Sequence, residues 1–326
     1  MKSRRNIISS ILLACVFAAA CAPARAGFLF WGGEKPSVLE PARELFARGD
    51  YAGSAELFEA ALASPAAGAA DKKLAYWFLG QCHERAGKDD RALSDYQIAV
   101  RIYPKDMQLL LALGRLYQKT GLLDNAQAIF LKILNLDSGS FEANIGLAQI
   151  YMKEGFHGKA EKHYSAALES MAVRDAALWR GYAESAFAQR KYEAARGITD
   201  RALAMDSGDA ETLLLSARIY GESGDKTAAL AEIARAQAAA PERSDIVLRR
   251  ALWLAASGDT DKSLALSQAE LIKRPDDPLA SLAAALAYMK SGRPALARPR
   301  LLAAAESKEE PFIARAALQL LKTLPE

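Results

Sequence analysis

Small and large apolar residues recur at helical spacing along most of the chain, in blocks that glycine or proline interrupts. In residues 73–106 a first helical face ends before Gly87, and a second face runs from there to Pro104. The two faces are formed by Tyr76, Leu79, Gly80 and His83, and by Ala92, Tyr96 and Ala99. This stretch predicts a helix, a tight turn and a second helix.

The same pattern returns twice at an interval of 34 residues. The first copy consists of Leu110, Leu113, Gly114, Tyr117, Gly121, Ala126, Phe130 and Ile133. The second consists of Asn144, Leu147, Ala148, Tyr151, Gly155, Ala160, Tyr164 and Ala167. One helix pair cannot bury its apolar face alone, so successive pairs are expected to stack around a continuous core.

This arrangement resembles the tetratricopeptide repeat family, in particular exported bacterial members. The resemblance implies an all-α, right-handed solenoid of antiparallel helix pairs, with about eight repeats over residues 37–310 and a capping helix over 311–326. The turns are predicted near Gly49, Gly87, Gly121, Gly155, Arg190, Gly224, Gly258 and Gly292.

Four irregular places modify this expectation. Pro41 predicts a short first helix, and four extra residues within 65–72 predict a lengthened loop. Pro299 lies inside the last second helix and should kink it, at a cost of roughly 3 kcal/mol. An amphipathic helix is expected to cover the last repeat through Phe312, Ile313, Ala316, Ala317, Leu320, Leu321 and Leu324.

The first 26 residues predict a secretory signal. A basic start and an apolar run over 7–20 precede the sequence Ala24-Arg25-Ala26, which is typical of a cleavage site. The mature, periplasmic protein would then begin at Gly27 with a flexible leader over 27–36. The alternative is a lipobox that ends at Cys21, whose acylation would make the chain an outer-membrane lipoprotein facing the periplasm.

The charge of the chain indicates no particular partner once the first 26 residues are set aside. The whole chain has 42 Lys and Arg against 39 Asp and Glu, and four of the basic residues lie in 1–26. The remainder is therefore nearly neutral, with 38 basic and 39 acidic residues. We expect no nucleic-acid partner, and membrane contact only through a lipid anchor.

Motifs for catalysis are absent from the sequence. It contains no phosphate-binding glycine loop, no HExxH and no cysteine pairs at metal-binding spacing. Cys82 and His83 stand at packed positions of a first helix, where a buried thiol and imidazole are expected. We therefore expect no enzymatic activity, no cofactor and no metal site.

The resemblance does imply a binding surface. In this family the second, fifth, ninth, twelfth and thirteenth residues of each unit face the concave groove. The best-matching units place there an apolar row of Trp77, Leu111 and Ile145, a polar row of Gln81, Arg115 and Gln149, and a basic row of Arg85, Lys119 and Lys153. Trp77, Arg115, Lys119 and Lys153 are expected to point away from the helix-packing core.

These rows suit an extended or helical segment that carries apolar anchors and acidic residues. The alternative is that the late basic residues only complement the helix dipole and stay solvated. The Lys and Asn that clamp a terminal carboxylate in one subfamily are missing at the matching positions.

The resulting hypothesis is a non-catalytic scaffold or adaptor that binds a protein or peptide partner in the bacterial cell envelope and assists assembly or secretion of an envelope complex. Two alternatives stay open: a self-assembling structural scaffold without a separate ligand, and an accessory carbohydrate-binding solenoid in polysaccharide export. The sequence leaves the oligomeric state and the partner undetermined.

Overall fold

A computed structural model describes residues 38–170 and 175–325. The proposed signal, Cys21 and the leader over 27–36 lie outside the described residues. The helices in these ranges are α1 Glu40–Ala47, α2 Tyr51–Ala63, α3 Ala69–Arg85, α4 Asp89–Ile102, α5 Met107–Lys119, α6 Leu123–Leu136, α7 Phe141–Lys153, α8 His157–Ser170, α9 Ala176–Ala188, α10 Tyr192–Met205, α11 Ala210–Glu222, α12 Lys226–Ala239, α13 Ser244–Ser257, α14 Thr260–Lys273, α15 Pro278–Lys290, α16 Pro294–Ala305 and α17 Pro311–Leu321.

These helices form eight consecutive pairs, α1–α2 to α15–α16, followed by α17. Each helix packs against the next along the chain, so every pair also contacts the pair that follows it. No strand occurs in the described ranges. The predicted all-α solenoid is confirmed.

The turn inside each pair has left-handed backbone geometry at the predicted position. In seven pairs glycine occupies it, with φ between 70° at Gly87 and 95° at Gly224. In the fifth pair the same geometry falls on Arg190, with φ of 60°. A Cβ disfavours this region, so Arg190 holds a conformation that glycine adopts more readily.

The first repeat departs from the regular pattern in its first helix, α1, and at its border with the second repeat, where α3 begins. Helix α1 has only 8 residues and begins with Pro41 in its first turn, as expected. The predicted long loop over 65–72 is wrong, because the extra residues form helix. Helix α3 begins at Ala69 and has 17 residues, against 13 in α5. Its Ala-Ala-Asp start combines strong helix formers with an acidic residue that complements the helix dipole.

At the other end, α17 covers the last pair in part as predicted. Ile313 and Ala317 are buried there, and Leu320, Leu321 and Leu324 pack beside them. Phe312, however, is 80% exposed, so its placement on the covering face was wrong. Helix α16 continues through Pro299 without interruption.

The core between pairs depends on one buried residue of each second helix, which we call the wedge residue, and on small residues opposite it. In α6 this residue is Phe130, which is 1% exposed. A Cβ added to Gly146 would lie 2.4 Å from the Phe130 ring, and one added to Gly114 would lie 2.9 Å from it. Phe130 therefore fills the space between its own first helix and the next.

The buried thiol and imidazole are found where they were expected. His83 Nδ1 lies 2.6 Å from Asp95 Oδ2, and burial raises the pKa of the Asp95 carboxyl. The Cys82 thiol donates to Ser54 Oγ at 3.4 Å, and burial raises the pKa of that thiol. Both groups are core residues with partners, which agrees with a packing role.

Candidate partner-binding groove

The first helices of the pairs form one face of the solenoid, which we call the groove. Along much of the chain, the first helices of neighbouring pairs contact each other, for example α5 with α7 and α13 with α15. The second helices of neighbouring pairs make fewer such contacts. First helices therefore approach most closely and line the inner side of the stack.

The predicted apolar row lies at the border between this groove and the core. Trp77, Leu111 and Ile145 are each half-buried. The Trp77 ring meets Phe78 edge-on with centroids 4.8 Å apart, and Trp77 and Leu111 pack beside the core. The expectation that the Trp77 side chain points away from the core was therefore wrong. The outer edges of Trp77 and Leu111 face the groove and their inner edges stabilise the fold.

Two members of the predicted basic row are engaged with neighbouring repeats. The Arg85 guanidinium lies 4.7 Å from the centre of the Phe46 ring and donates to the Tyr51 hydroxyl at 3.4 Å. Lys119 Nζ lies 2.7 Å from Asp89 Oδ1. These cations link successive pairs, so they are less available to a partner than their exposure suggests.

Arg115 and Lys153, by contrast, are exposed and have no partner among the described residues. Between them the amide of Gln118 donates to Gln149 Oε1 at 2.8 Å, which ties α5 to α7 across the groove. Gln81 is half-buried. Unpaired cations beside half-exposed apolar edges and amides make a surface that is able to bind an acidic, partly apolar segment.

The same positions in the later repeats form a different surface, which the sequence reasoning did not follow. The residue that corresponds to Trp77 is the half-buried Arg180 in repeat five, and it is a buried leucine in repeats six to eight: Leu214, Leu248 and Leu282. Applying the 34-residue interval to the later units would have identified these positions, but not their burial.

Charged residues dominate the groove at repeats five and six. Arg180 makes an ion pair with Asp209, and the Arg218 guanidinium lies 4.8 Å from the centre of the Phe187 ring. Glu184 is exposed, yet desolvation raises the pKa of its carboxyl, while Arg180 and Arg218 lower it and Glu211 adds a smaller rise. Two arginines and a second carboxylate thus act on a partly desolvated Glu184.

Other kinds of site find little support. In the described ranges no group of three or more His, Cys, Asp or Glu side chains is placed to hold a metal ion. A cavity of about 710 Å³ lies between the loops that precede α15 and α17. Within the part of the chain that the structure describes, no helix combines the length and apolarity needed to cross a bilayer.

Comparison with known proteins identifies a relative of part of this chain. DnaJ homolog subfamily C member 3 of Gallus gallus is 28% identical over 212 residues, which are 65% of this chain and 37% of that protein. This chain thus spans well under half of its relative.

Two solved structures share the fold. The C-terminal part of a repeat-containing protein from Cytophaga hutchinsonii superposes with a TM-score of 0.63 at 16% identity, covering 74% of this chain and 97% of that one. A protein from Parabacteroides merdae has a TM-score of 0.55 at 18% identity, with 77% and 97% covered.

The family comparison identifies the repeats themselves. Tetratricopeptide repeats match residues 39–107, 145–210 and 214–278, and a further one matches 108–139. These matches cover more than half of the chain and coincide with the helix pairs described above. The chain belongs to the tetratricopeptide repeat family.

Proposed function

We propose that this protein is a non-catalytic adaptor that holds an acidic, partly apolar segment of another protein in the groove of repeats two to four. Tetratricopeptide repeat proteins are generally scaffolds for protein or peptide partners. The observation that carries the proposal for this chain is the pairing of half-exposed Trp77, Leu111 and Ile145 with the unpaired cations Arg115 and Lys153.

Charge reversal tests this proposal without disturbing the core. Arg115→Glu with Lys153→Glu should abolish most binding and leave the melting temperature unchanged, because both side chains are exposed and unpaired. The matched control is Arg101→Glu with Lys105→Glu, an equal charge change on exposed residues outside the groove. Crosslinking followed by mass spectrometry of captured proteins should show partners that only the groove variant loses.

Trp77→Ala provides an independent measurement. Removal of an aromatic anchor should weaken partner binding by about 2 kcal/mol. It should also lower the melting temperature, because the ring packs beside the core.

If both double charge-reversal variants retain the same partners as the unchanged protein, the groove of repeats two to four is not the binding site.

The setting we propose is the bacterial cell envelope, with residues 1–26 removed during export and the adaptor assisting assembly or secretion of an envelope complex. The basic start, the apolar run and the Ala-x-Ala sequence support this proposal. Mass spectrometry of the native N-terminus tests it. A chain that begins at Gly27 agrees with a periplasmic protein, whereas acylated Cys21 would indicate a lipoprotein, and an intact Met1 would contradict export.

One observation favours self-assembly as a second function. Ile272 and Phe312, on the last repeats, are 83% and 80% exposed. Sedimentation of the purified protein with and without Phe312→Ser tests this alternative, since a structural scaffold should dissociate. The carbohydrate-binding alternative has less support, because Trp77 and Phe187, aromatic residues at groove positions, both pack against neighbouring side chains.

A further inference from the structure

The groove changes the sign of its charge along its length. At the five groove positions of repeats two to four there are four cations and two carboxylates. At the same positions of repeats five to seven there are two cations and four carboxylates. The first set is Arg85, Arg115, Lys119 and Lys153 against Glu84 and Glu142, and the second is Arg180 and Arg218 against Glu184, Glu211, Glu222 and Asp245.

Pairing inside the chain leaves this asymmetry in place. In the later half, Arg243 holds both Glu211 and Asp245, at 2.5 and 2.8 Å, and Arg180 is occupied by Asp209. Glu184 and Glu222 are exposed and have no ion pair among the described residues.

In the earlier half the unpaired groups are mostly cations. Arg115 and Lys153 are free of intramolecular partners and Glu142 is an exposed, unpaired carboxylate, whereas Glu84 accepts a hydrogen bond from the Tyr96 hydroxyl at 2.8 Å. In the later half Arg218, stacked on Phe187, is the matching cation without an ion pair. Among the described groove residues without an ion pair, cations therefore predominate at one end of the groove and carboxylates at the other.

From this polarity we propose that the groove selects a segment whose charges are separated, with its acidic end on repeats three and four and its basic end on repeats five and six. This inference rests on the proposed function and adds the orientation of the partner. The partly desolvated Glu184 carboxylate supports it, because a cation of the partner would stabilise the charged carboxylate further than Arg180 and Arg218 already do.

The geometry also sets the length of the segment. First helices of neighbouring repeats are about 10 Å apart, so the centre of repeats three and four lies roughly 20 Å from the centre of repeats five and six. An extended chain covers this distance with about six residues, at roughly 3.3 Å each. A peptide of about twelve residues therefore reaches both halves.

The test uses two synthetic peptides of equal composition and about twelve residues. One has a block of glutamates, two central leucines and a block of lysines, and the other alternates glutamate with lysine around the same leucines. Fluorescence anisotropy should show that the peptide with separated charges binds about tenfold more tightly, which corresponds to two additional ion pairs.

A photo-crosslinker identifies the orientation directly. Placed at the glutamate end, it should label α5 and α7, and placed at the lysine end, it should label α9 and α11. In the variant that combines Arg115→Glu, Lys153→Glu, Glu184→Lys and Glu222→Lys, the two patterns should exchange. All four side chains are exposed, so circular dichroism of this variant should match that of the unchanged protein.

The outcomes separate this inference from the proposed function. Equal affinity for both peptides, or the same crosslinks from both ends, overturns the inference of a charge-separated partner. If reversal of Arg115 and Lys153 nevertheless abolishes peptide binding, the adaptor function is still supported. Absence of saturable binding by either peptide overturns the inference as well, whereas the capture experiment decides the adaptor function by itself.

Discussion

The two halves of the solenoid fill the same structural position with different residues. The wedge residue of the second helix is aromatic in repeats one to four and smaller in repeats five to eight, although it is buried in all of them. The residues are, in order, Phe58, Tyr96, Phe130, Tyr164, Thr199, Ile233, Ser267 and Leu301. Burial alone therefore does not determine the size of the residue that a repeat accepts.

The surroundings of this position differ accordingly. In the first half, glycine makes room for the ring, and a Cβ on Gly80 would lie 2.3 Å from Tyr96. In the second half, the Ser267 hydroxyl donates to the Ser263 carbonyl at 2.8 Å within its own helix and fills little space. Helices α13 and α15 instead approach each other through alanines, among them Ala255 and Ala284.

This difference extends to the binding surface. Where an aromatic ring separates successive pairs, the groove row of Trp77, Leu111 and Ile145 is half-exposed. Where the wedge is small and the first helices pack closely, Leu248 and Leu282 in the same row are buried. The size of a residue on the second helix thus affects whether the first helices have an accessible apolar groove.

The largest expected effect is the loss of an aromatic wedge. Phe130→Ala should lower the free energy of unfolding by about 4 kcal/mol, because the cavity lies between two glycines that cannot fill it. Ser267→Ala at the matching position should change it by roughly 0.5 kcal/mol at most. Denaturant unfolding measures both values, and similar losses in the two variants would contradict the comparison.

A smaller effect is expected when a methyl group is added beside the ring. Gly146→Ala places a Cβ 2.4 Å from Phe130 and should destabilise the protein by roughly 1 to 3 kcal/mol. Gly197→Ala in α10 is the control, since no atom lies within 4 Å of its added Cβ. That change should stabilise the protein by about 0.5 kcal/mol, because alanine favours helix. Equal melting temperatures for the two variants would show that the ring yields freely.

The fifth turn offers a change in the other direction. Arg190→Gly should raise the free energy of unfolding by about 0.5 kcal/mol, because it removes the Cβ from a left-handed residue while glycine loses more entropy on folding. Hydrogen exchange should show the gain in repeats four to six. A lower melting temperature would mean that contacts of the Arg190 side chain stabilise the protein by more than its left-handed backbone destabilises it.

The smallest effect concerns pH and lies in repeat four. Burial lowers the pKa of His163, and the charge of Lys162 lowers it further. The imidazole ring stacks on Tyr151, and its Nδ1 lies 2.9 Å from Asn144 Oδ1. The unfolded chain therefore binds the proton at higher pH than the folded protein. This contribution to stability is complete above the unfolded pKa, at about pH 6.5, and is lost as the pH falls from there through the lower pKa of the folded protein.

A variant separates this histidine from other groups. His163→Gln should reduce the loss of melting temperature between pH 7.5 and 5.5, and exchange at α8 should become less dependent on pH. An unchanged pH dependence would assign the effect to groups outside repeat four.

The sequence by itself determined the repeats, because helical periodicity and left-handed turns act over a few residues. Tyr76, Gly87 and Tyr96 and their counterparts 34 residues away were sufficient to predict the pairs, and even Arg190 was recognised as a turn from its place in the interval. The extra turn of α3 was missed because Pro65 and Gly68 indicate a loop, although Ala69 and Ala70 after them favour helix.

The tertiary structure decided which predicted groove residues are free. Lys119 is occupied by Asp89, 30 positions away, and Arg85 by rings of the first repeat, whereas Arg115 and Lys153 remain unpaired. It also decided where the groove is open, since Trp77 and Leu248 occupy equivalent positions with different burial. Such contacts depend on how closely neighbouring helix pairs approach, and that distance is set by the combined volume of side chains from several helices.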